Sequence, residues 1–158
     1  MTPQEILDSL KANFGDAIIE GKLDVQQPWI QIAGDKTREI CTFLRDEENY
    51  RFDYLSCLSG VDYNDGKLGV IYHLASVPLK HKIVLKSFCT KENPHVQSVA
   101  DVWGTANWHE REAFDLIGVV FDGHPDLRRI LLPYDWEGHP LRKDYKVPEF
   151  YDGMKVPY

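Results

Sequence analysis

Hydrophobic residues near the start of the chain recur at the spacing of an amphipathic helix. The apolar side chains are Ile6, Leu7, Leu10 and Phe14, in which Leu10 follows Ile6 by four residues and Leu7 by three, and Phe14 follows Leu10 by four. This spacing places them on one helical face. Residues 2–5, TPQE, supply a threonine that can cap the helix, a proline suited to its first turn and a glutamate that completes a capping box. Gly15 is predicted to end the helix.

Two further helices are predicted from similar signals. Gly34-Asp35 is expected to begin the first. Its predicted inward face consists of Ile40, Phe43 and Leu44. Asn93-Pro94 is expected to begin the second, since proline suits the first helical turn. Its predicted inward face consists of Val96, Val99, Val102 and Trp103.

A fourth helix is predicted to follow Gly104. Residues 107–110, NWHE, form a capping-box pattern that leads into the stretch REAFDLIG. Ala113, Leu116 and Ile117 share one face of this helix, which makes that face the predicted buried one. Gly118 is predicted to end it.

The middle of the chain has the composition of β-strands. Short strands are predicted at 17–20 and 29–33, and longer ones at 51–63, 67–76 and 82–89, which are rich in Val, Ile, Tyr and Phe. Asn64-Asp65-Gly66 supplies the positive φ that a hairpin turn requires. The last three strands are therefore predicted to form an antiparallel meander.

These elements predict an α+β fold with two layers. We expect a mixed or antiparallel sheet with helices packed mainly on one face, and an extended C-terminal tail rich in Pro and Gly. Residues 1–121 form the α+β domain of this prediction, and residues 122–158 form the tail of the same single domain. The tail is too rich in aromatic residues for a disordered linker, so it needs a surface to lie against.

Composition excludes several classes of function. The net charge of −7 and the pI near 5.3 have the wrong sign for binding nucleic acid through its phosphates. The longest charge-free run, residues 68–79, is too short to span a bilayer, which needs about 20 apolar residues. Cys41, Cys57 and Cys89 are far apart and stand among apolar neighbours, so we interpret them as thiols of the core in a reducing compartment.

Familiar catalytic and metal-binding motifs fail at individual positions. His109-Glu110 begins like the zinc motif HExxH, but Ala113 stands where the second histidine is required. The acidic stretch 62–66 resembles a calcium loop, but His73 stands where the terminal glutamate is required. The glycines form neither a dinucleotide fingerprint nor a phosphate loop.

The charges at 110–115 allow three interpretations. Arg111 and Asp115 are four residues apart and are predicted to pair along a helix, whereas Glu110 and Glu112 point in different directions. A solvated charged face, a docking surface and acid–base catalysis all remain open. The solvated face is the simplest of the three interpretations, because it needs neither a partner nor a substrate.

Two similar bends stand in residues 122–145, which we call the belt. His124 and His139 each lie between Gly and Pro, an arrangement that fixes the backbone direction at each imidazole. A structural bend, a hydrogen bond at an interface and metal ligation are the alternatives for these histidines. Each bend is followed by two cations, at 128–129 and at 142–143, and Trp136 lies between the two pairs. A backbone fixed by proline loses little entropy on docking, and Arg and Trp are frequent interface residues, so the belt is predicted to bind a protein partner.

The stretch HEREAFDLIGVVFDGHPDLRRILLPYDWEGHPLRKDY, residues 109–145, closely resembles the 30-kDa-type subunit of proton-pumping NADH–quinone oxidoreductase, respiratory complex I, which is its C subunit in bacteria. The resemblance implies a non-redox scaffold in the peripheral arm, on the cytoplasmic face of the cell (inner) membrane. It implies docking on the quinone-site subunit (49-kDa, or D) beside the subunit with the terminal iron–sulfur cluster. Iron–sulfur clusters, FMN and quinone are then expected in the partner subunits, and no cofactor, metal or catalytic residue is expected in this chain.

The resemblance and the composition of the belt together give a predicted partner interface. It consists of Glu110, Arg111, Glu112, Asp115, His124, Arg128, Arg129, Trp136, His139, Arg142, Lys143, Asp144 and Tyr145. The four charged residues from 110 to 115 are expected to present one charged face. Truncating Arg128 or Arg142 is expected to reduce assembly without lowering the melting temperature of the isolated domain. The alternatives are an equivalent subunit of a ferredoxin-fed or hydrogenase-type complex, or a free-standing acid–base enzyme using His109 or His124.

Overall fold

A computed structural model describes residues 1–156. Its helices and strands are, in chain order, α1 (Pro3–Phe14), β1 (Ile18–Lys22), β2 (Trp29–Ile32), α2 (Thr37–Asp46), β3 (Tyr54–Asp62), β4 (Lys67–Ala75), β5 (Lys82–Thr90), β6 (His95–Gln97), α3 (Ala106–Ile117), β7 (Val120–Asp122), β8 (Phe150–Tyr151) and β9 (Met154–Lys155). Short 3₁₀ turns at Gly15–Ala17 and Gly34–Lys36 precede β1 and α2. The helix predicted to begin at Gly34 therefore begins at Thr37.

Helix α1 forms as its local sequence predicts. The Thr2 hydroxyl accepts a hydrogen bond from the Glu5 backbone N–H at 3.3 Å, and the Glu5 carboxylate accepts one from the Thr2 N–H at 2.7 Å. Ile6 and Leu10 are fully buried on the predicted face. Gly15 follows the last helical residue with a positive φ of 49°. The capping box and the end of the helix are both confirmed.

Five strands form one mixed sheet in the order β1-β2-β5-β4-β3. The pairs β1–β2, β3–β4 and β4–β5 are antiparallel, and β2–β5 is parallel. The predicted meander is confirmed, with Asn64 and Gly66 at positive φ in its first turn. The α+β class with a mixed sheet is also confirmed.

The helices lie on one face of this sheet. Leu7 of α1 lies against Gly21 in β1, and Ile117 of α3 lies against Gly60 in β3. A Cβ at either glycine would meet these helical side chains at 2.6 and 3.2 Å, so the close approach depends on glycine. Ile40 of α2 completes this layer within the same core.

The prediction of a helix that begins at Asn93-Pro94 is wrong. His95–Gln97 forms strand β6, which pairs in parallel with β7, and a turn follows. Val96 and Val99 are buried as their spacing predicts, but they point inward from an extended segment. The cause is non-local, because β7 provides a strand partner and Glu110 accepts the backbone N–H of Val99.

The predicted capping box of α3 is also wrong. The helix begins at Ala106, and its N-cap residue, Thr105, makes no hydrogen bond from its side chain. The Glu110 carboxylate is instead occupied by Ser98 and Val99. The end of the helix is as predicted, since Gly118 adopts the left-handed conformation with φ 82°.

Between β7 and β8 the tail contains no helix or strand, as its lack of periodicity predicts. It nevertheless runs back along α3, and the short pair β8–β9 follows it. Pro157 and Tyr158, the last residues of the predicted tail, lie outside the described residues. Within residues 1–156, none of the helices is long and apolar enough to cross a membrane.

Candidate interaction site: the belt on helix α3

The Asp115 carboxylate is the point at which the belt is anchored. Its Oδ2 accepts hydrogen bonds from three successive backbone N–H groups, those of Ile130 at 3.1 Å, Leu131 at 2.8 Å and Leu132 at 2.9 Å. Its Oδ1 lies 2.7 Å from Nη1 of Arg129. Burial of this carboxyl opposes ionisation, but the donated hydrogen bonds outweigh it and hold the pKa of Asp115 below its ordinary value. Asp115 is therefore a buried anion that organises residues 129–132.

Arg129 extends the same contact to the next turn of the belt. Besides the Asp115 carboxylate, Nη1 donates to the Asp115 backbone carbonyl at 3.1 Å. Nη2 donates to the carbonyls of Trp136 and Gly138, each at 2.8 Å. One guanidinium thus joins the helix to both sides of the second bend, which agrees with the planar, multidentate geometry of arginine.

The last carbonyls of α3 are satisfied by the belt. His139 donates from Nδ1 to the carbonyl of Asp115 at 3.0 Å, and the Leu141 N–H donates to that of Leu116 at 2.9 Å. Arg142 donates from Nε to the carbonyl of Ile117 at 2.6 Å. These carbonyls have no partner within a helix, and a cation at this end also interacts favourably with the helix dipole. Burial lowers the pKa of His139 against the opposing effect of its backbone hydrogen bond.

Gly118 lies where the helix and the belt are closest. A Cβ at this residue would lie 2.5 Å from a ring carbon of His139 and 2.6 Å from Nη2 of Arg142. The position therefore needs glycine for its positive φ and also for its space.

A second anchor joins the end of the belt to the sheet. The buried carboxylate of Asp62 accepts the backbone N–H of Lys143 at 2.9 Å and lies 2.9 Å from Nζ of Lys91. Lys91 also lies 3.3 Å from the Asp144 carboxylate. Burial opposes ionisation of Asp62, but Lys91 and the backbone donors outweigh it and lower its pKa to about 2. Sequence reasoning missed Asp62 and Lys91 as partners of the belt, because both contacts are non-local and that of Asp62 with Lys143 crosses 81 residues of chain.

Glu110 is buried beneath the first turn of α3. Its carboxylate accepts the Ser98 hydroxyl at 2.6 Å and the Val99 N–H at 2.7 Å. Desolvation raises the pKa of Glu110 to about 7, although both hydrogen bonds oppose this shift. Glu110 and Asp115 are each fully buried. The prediction that both belong to one charged surface face is therefore wrong.

Arg111 and Glu112 remain at the surface, but not as the sequence predicts. The predicted pair of Arg111 with Asp115 is wrong, because Arg111 donates to the backbone carbonyls of Arg128 and Arg129, each at 3.1 Å. The Glu112 side chain is exposed. Arg111 therefore donates hydrogen bonds to backbone carbonyls of the belt, whereas Asp115 accepts them from Arg129 and from backbone N–H groups.

His124 makes the first bend a fixed structure. Its Nε2 donates to the carbonyl of Asn107 at 3.0 Å, and its Nδ1 accepts the N–H of Asp126 at 3.0 Å. Both ring nitrogens are therefore occupied, and the tautomer with hydrogen on Nε2 is the one that fits. The ring is fully enclosed, 4.0 Å from the Glu110 carboxylate. This geometry supports the structural-bend interpretation of His124.

Comparison with known proteins identifies the family of this chain. The family described as the respiratory-chain NADH dehydrogenase, 30 Kd subunit, matches residues 30–151. The C subunit of NADH-quinone oxidoreductase from Chloroherpeton thalassium is 53% identical over 94% of this chain. That of Chlorobium phaeobacteroides is 49% identical over 96% of it. The chain belongs to the 30-kDa subunit family of respiratory NADH dehydrogenase.

The lengths of these relatives differ. The chain spans 63% of the Chloroherpeton protein and 93% of the Chlorobium protein. A solved trypsin-resistant fragment of Nqo5 superposes with a TM-score of 0.64 at 28% identity, covering 80% of this chain and all of the fragment. A chain of an archaeal membrane-bound sulfane sulfur reductase superposes with a TM-score of 0.74 at 23% identity, covering 90% of this chain and 85% of that chain. The second likeness shows the fold alone.

The outer side of the belt and the rest of the tail expose large hydrophobic side chains among charged ones. Six large hydrophobic side chains of the tail are exposed: Leu131, Tyr134, Leu141, Val147, Phe150 and Met154. Tyr134 is 94% exposed, although it lies between segments that bind α3. Trp136 packs inward on Tyr151 with ring centroids 5.0 Å apart. The belt therefore binds its own domain through polar contacts and exposes Leu131, Tyr134 and Leu141 to solvent beside charged residues.

The thirteen residues of the predicted interface divide into two groups. The first group is buried or half-buried. Arg111, Asp115, Arg129, His139 and Arg142 come together in contacts between α3 and the belt, Glu110 and His124 have enclosed side chains near the start of α3, and Trp136 and Tyr145 are half-buried. Exposed side chains are found at Glu112, Arg128, Lys143 and Asp144. Arg142 is consequently an internal contact, so the expectation that its truncation leaves the isolated domain unaffected does not fit its geometry.

A small cleft lies between α3 and β3. It has a volume of about 160 Å³ and is lined by Leu58, Gly60, His109, Glu112, Leu116 and Leu141. Small-molecule sites usually measure roughly 300–1,000 Å³. Nδ1 of His109 already accepts the Leu58 N–H at 3.2 Å. The cleft matches one apolar side chain of a partner better than a substrate.

Proposed function

We propose that this chain is a non-redox scaffold subunit of a proton-translocating NADH:quinone oxidoreductase. It docks on the 49-kDa-type quinone-site subunit through the outer side of the belt, next to the subunit with the terminal iron–sulfur cluster. The complex lies with this arm on the cytoplasmic face of the cell (inner) membrane. FMN, the iron–sulfur clusters and quinone belong to partner subunits, and this chain supports electron transfer from NADH through assembly.

The observation that carries the proposal is the two-sided structure of the belt. Its inner side is held by Asp115, Arg129 and Arg142, whereas Tyr134 and Leu131 point outward. A segment already held in one conformation loses little entropy on binding, and exposed aromatic side chains are frequent hot spots. Membership of the 30-kDa family supports a complex I subunit as the partner.

Two enclosed polar atoms in the tail also support docking. The indole N–H of Trp136 and the hydroxyl of Tyr145 are buried and have no hydrogen-bond partner among the described residues. Such a group costs about 1–3 kcal/mol when unsatisfied. A partner surface at the belt supplies these hydrogen bonds in this proposal once a small side-chain movement exposes the two atoms.

The geometry favours a scaffold over an acid–base enzyme. Both ring nitrogens of His124 are occupied, and His109 lines a cleft smaller than a usual ligand site. Relatives that are 42–53% identical are named as C subunits of NADH-quinone oxidoreductase, which favours NADH over ferredoxin or hydrogen as the donor. Purification of the complex tests this choice, since an NADH-binding companion supports it and a hydrogenase-like companion rejects it.

Tyr134→Ala tests docking directly. In cells that lack the native gene, this variant is expected to weaken docking about thirtyfold or more and so to reduce assembled complex, because loss of an interface hot spot costs about 2 kcal/mol or more. Val77→Ala truncates a side chain that is 65% exposed in the turn between β4 and β5 and serves as the control. Native gels and NADH:quinone activity in membranes provide the readout. Equal assembly of both variants would reject docking through the belt.

A further inference from the structure

The sheet has a second face that the helices and the belt leave uncovered. In β4, Leu68, Val70, Tyr72 and Leu74 are buried toward the helices. Because side chains alternate across a strand, residues 67, 69, 71, 73 and 75 point to the opposite side. We call this side the outer face. The known contacts of α1, α3 and the belt with Gly21, Gly60 and Asp62 all lie on the helical side.

Strand register shows which other residues share the outer face. Ile71 pairs with Lys86 and Ser59, and His73 pairs with Val84 and Cys57. Trp29 and Gln31 follow on β2, with Lys22 and Glu20 beside them on β1. The outer face is therefore continuous over all five strands. It combines apolar residues with charged residues, of which Lys86 lies on the central strand β5 and Lys22, Lys67 and Lys82 lie at strand ends.

The charge of this face is opposite to that of the chain. Its charged side chains are Lys22, Lys67, Lys82, Lys86 and Glu20. Lys67 lies 3.7 Å from the Asp65 carboxylate in the adjoining turn, so Lys22, Lys82 and Lys86 against Glu20 make up the cationic excess, although the whole chain has a net charge of −7. A local excess of this sign favours an anionic partner and repels another cationic surface.

Two features give the cationic surface a defined shape. Nζ of Lys86 lies 4.0 Å from the centroid of the Trp29 ring, so its stem is held against the sheet. Burial lowers the pKa of Lys86, with Glu20 opposing the shift. Beside it, a groove of about 250 Å³ runs between residues 26–28 and the strands, with His73 and Val84 at its base and Lys82 at its rim.

We propose that the outer face binds an acidic surface of a second protein subunit, separate from the partner that the belt engages. Carboxylates of that subunit pair with Lys22, Lys82 and Lys86, and an apolar side chain enters the groove beside Val84. Apolar side chains at Ile71 and Val84 with exposed lysines toward the strand ends fit the usual anatomy of a protein interface, in which a polar rim surrounds an apolar core. The proposal goes beyond belt docking, because it depends on the charges of strands β1, β4 and β5.

Zero-length cross-linking in the assembled complex tests the proposal. A water-soluble carbodiimide joins lysine amines to contacting carboxylates, and mass spectrometry identifies the linked residues. The expected result is a link from Lys82 or Lys22 to an Asp or Glu of another subunit. Links only to carboxylates of this chain would overturn the proposal. A linked subunit from outside complex I would support the outer-face interface and reject the proposed function.

A charge reversal provides the second measurement. Lys22→Glu/Lys82→Glu changes two exposed residues and is expected to weaken retention of the chain in salt-washed complex about tenfold, through like-charge repulsion. Lys11→Glu/Lys36→Glu is the matched control, because these exposed lysines belong to the helical layer. Equal retention of both double variants would overturn the proposal. Binding of the wild-type chain to phosphatidylglycerol vesicles, lost in Lys22→Glu/Lys82→Glu, with no link to another subunit, would also overturn it in favour of a lipid surface.

Discussion

The carboxylate of Asp115 lies 2.7 Å from the guanidinium of Arg129, and both groups are shielded from solvent by the belt that they hold. Fourteen residues separate them, so the contact closes a loop between helix α3 and the segment that returns along it. The neighbouring N–H groups of residues 130–132 complete the coordination of the same carboxylate. The conformation of the belt is thus fixed by a residue of the domain, before any partner binds.

Asp115→Asn should strongly destabilise the chain. The substitution leaves the Arg129 guanidinium without its buried counter-ion, which costs about 3–5 kcal/mol of unfolding free energy. Urea unfolding at pH 7 measures the loss. Glu112→Gln, at an exposed residue of the same helix, should change stability by about 0.5 kcal/mol or less. A similar small effect for Asp115→Asn would show that the pair does not hold the belt.

The effect of Asp115→Asn should also depend on pH. The pKa of Asp115 is lowered in the folded chain, so its stabilisation is present above the ordinary value of 3.8 and is lost as pH falls below it. The difference in unfolding free energy between wild type and variant should therefore shrink below about pH 4. A constant difference down to pH 2 would contradict the charge-based explanation.

Arg142→Ala and Arg128→Ala should separate internal from external roles. Arg142 donates to the carbonyl of Ile117 at the end of α3, whereas the Arg128 side chain is 71% exposed. Truncating Arg142 should cost the isolated chain about 2 kcal/mol, because a helix-terminal carbonyl loses its partner. Truncating Arg128 should cost about 0.5 kcal/mol or less. Thermal unfolding of the two variants measures the contrast, and equal melting temperatures would reject it.

Local signals in the sequence predict the first helix and the central strands, and non-local contacts explain the errors. The cap of α1 involves residues three apart, so TPQE alone specifies it. Val99 loses its predicted helix because its N–H is accepted by Glu110, eleven residues later. Asp115 looks like a surface charge until the N–H groups of Ile130 to Leu132 are folded onto it. Sequence spacing indicates that the belt needs a surface, but it does not reveal that its own domain provides one.

Glu110→Gln should flatten the pH dependence of stability near neutrality. The pKa of Glu110 rises from 4.5 to about 7 on folding, so its favourable contribution is complete below pH 4.5 and is lost as pH rises through 7. The shift corresponds to about 3 kcal/mol. Glutamine can still accept the Val99 N–H and donate to Ser98, so the variant should be the more stable chain at pH 8. Parallel stability curves for both chains from pH 4 to 8 would contradict the assignment.

Docking of the belt on the 49-kDa-type subunit is tested most directly by a photo-cross-linking residue at position 134 in the assembled complex. Tyr134 is 94% exposed on the outer side of the belt, and Val77 offers an exposed control site in the turn between β4 and β5. We predict a covalent link from position 134 to the 49-kDa-type subunit and none to that subunit from position 77. A complex that assembles normally but gives no link from position 134, or links it only to other subunits, would contradict the proposed docking.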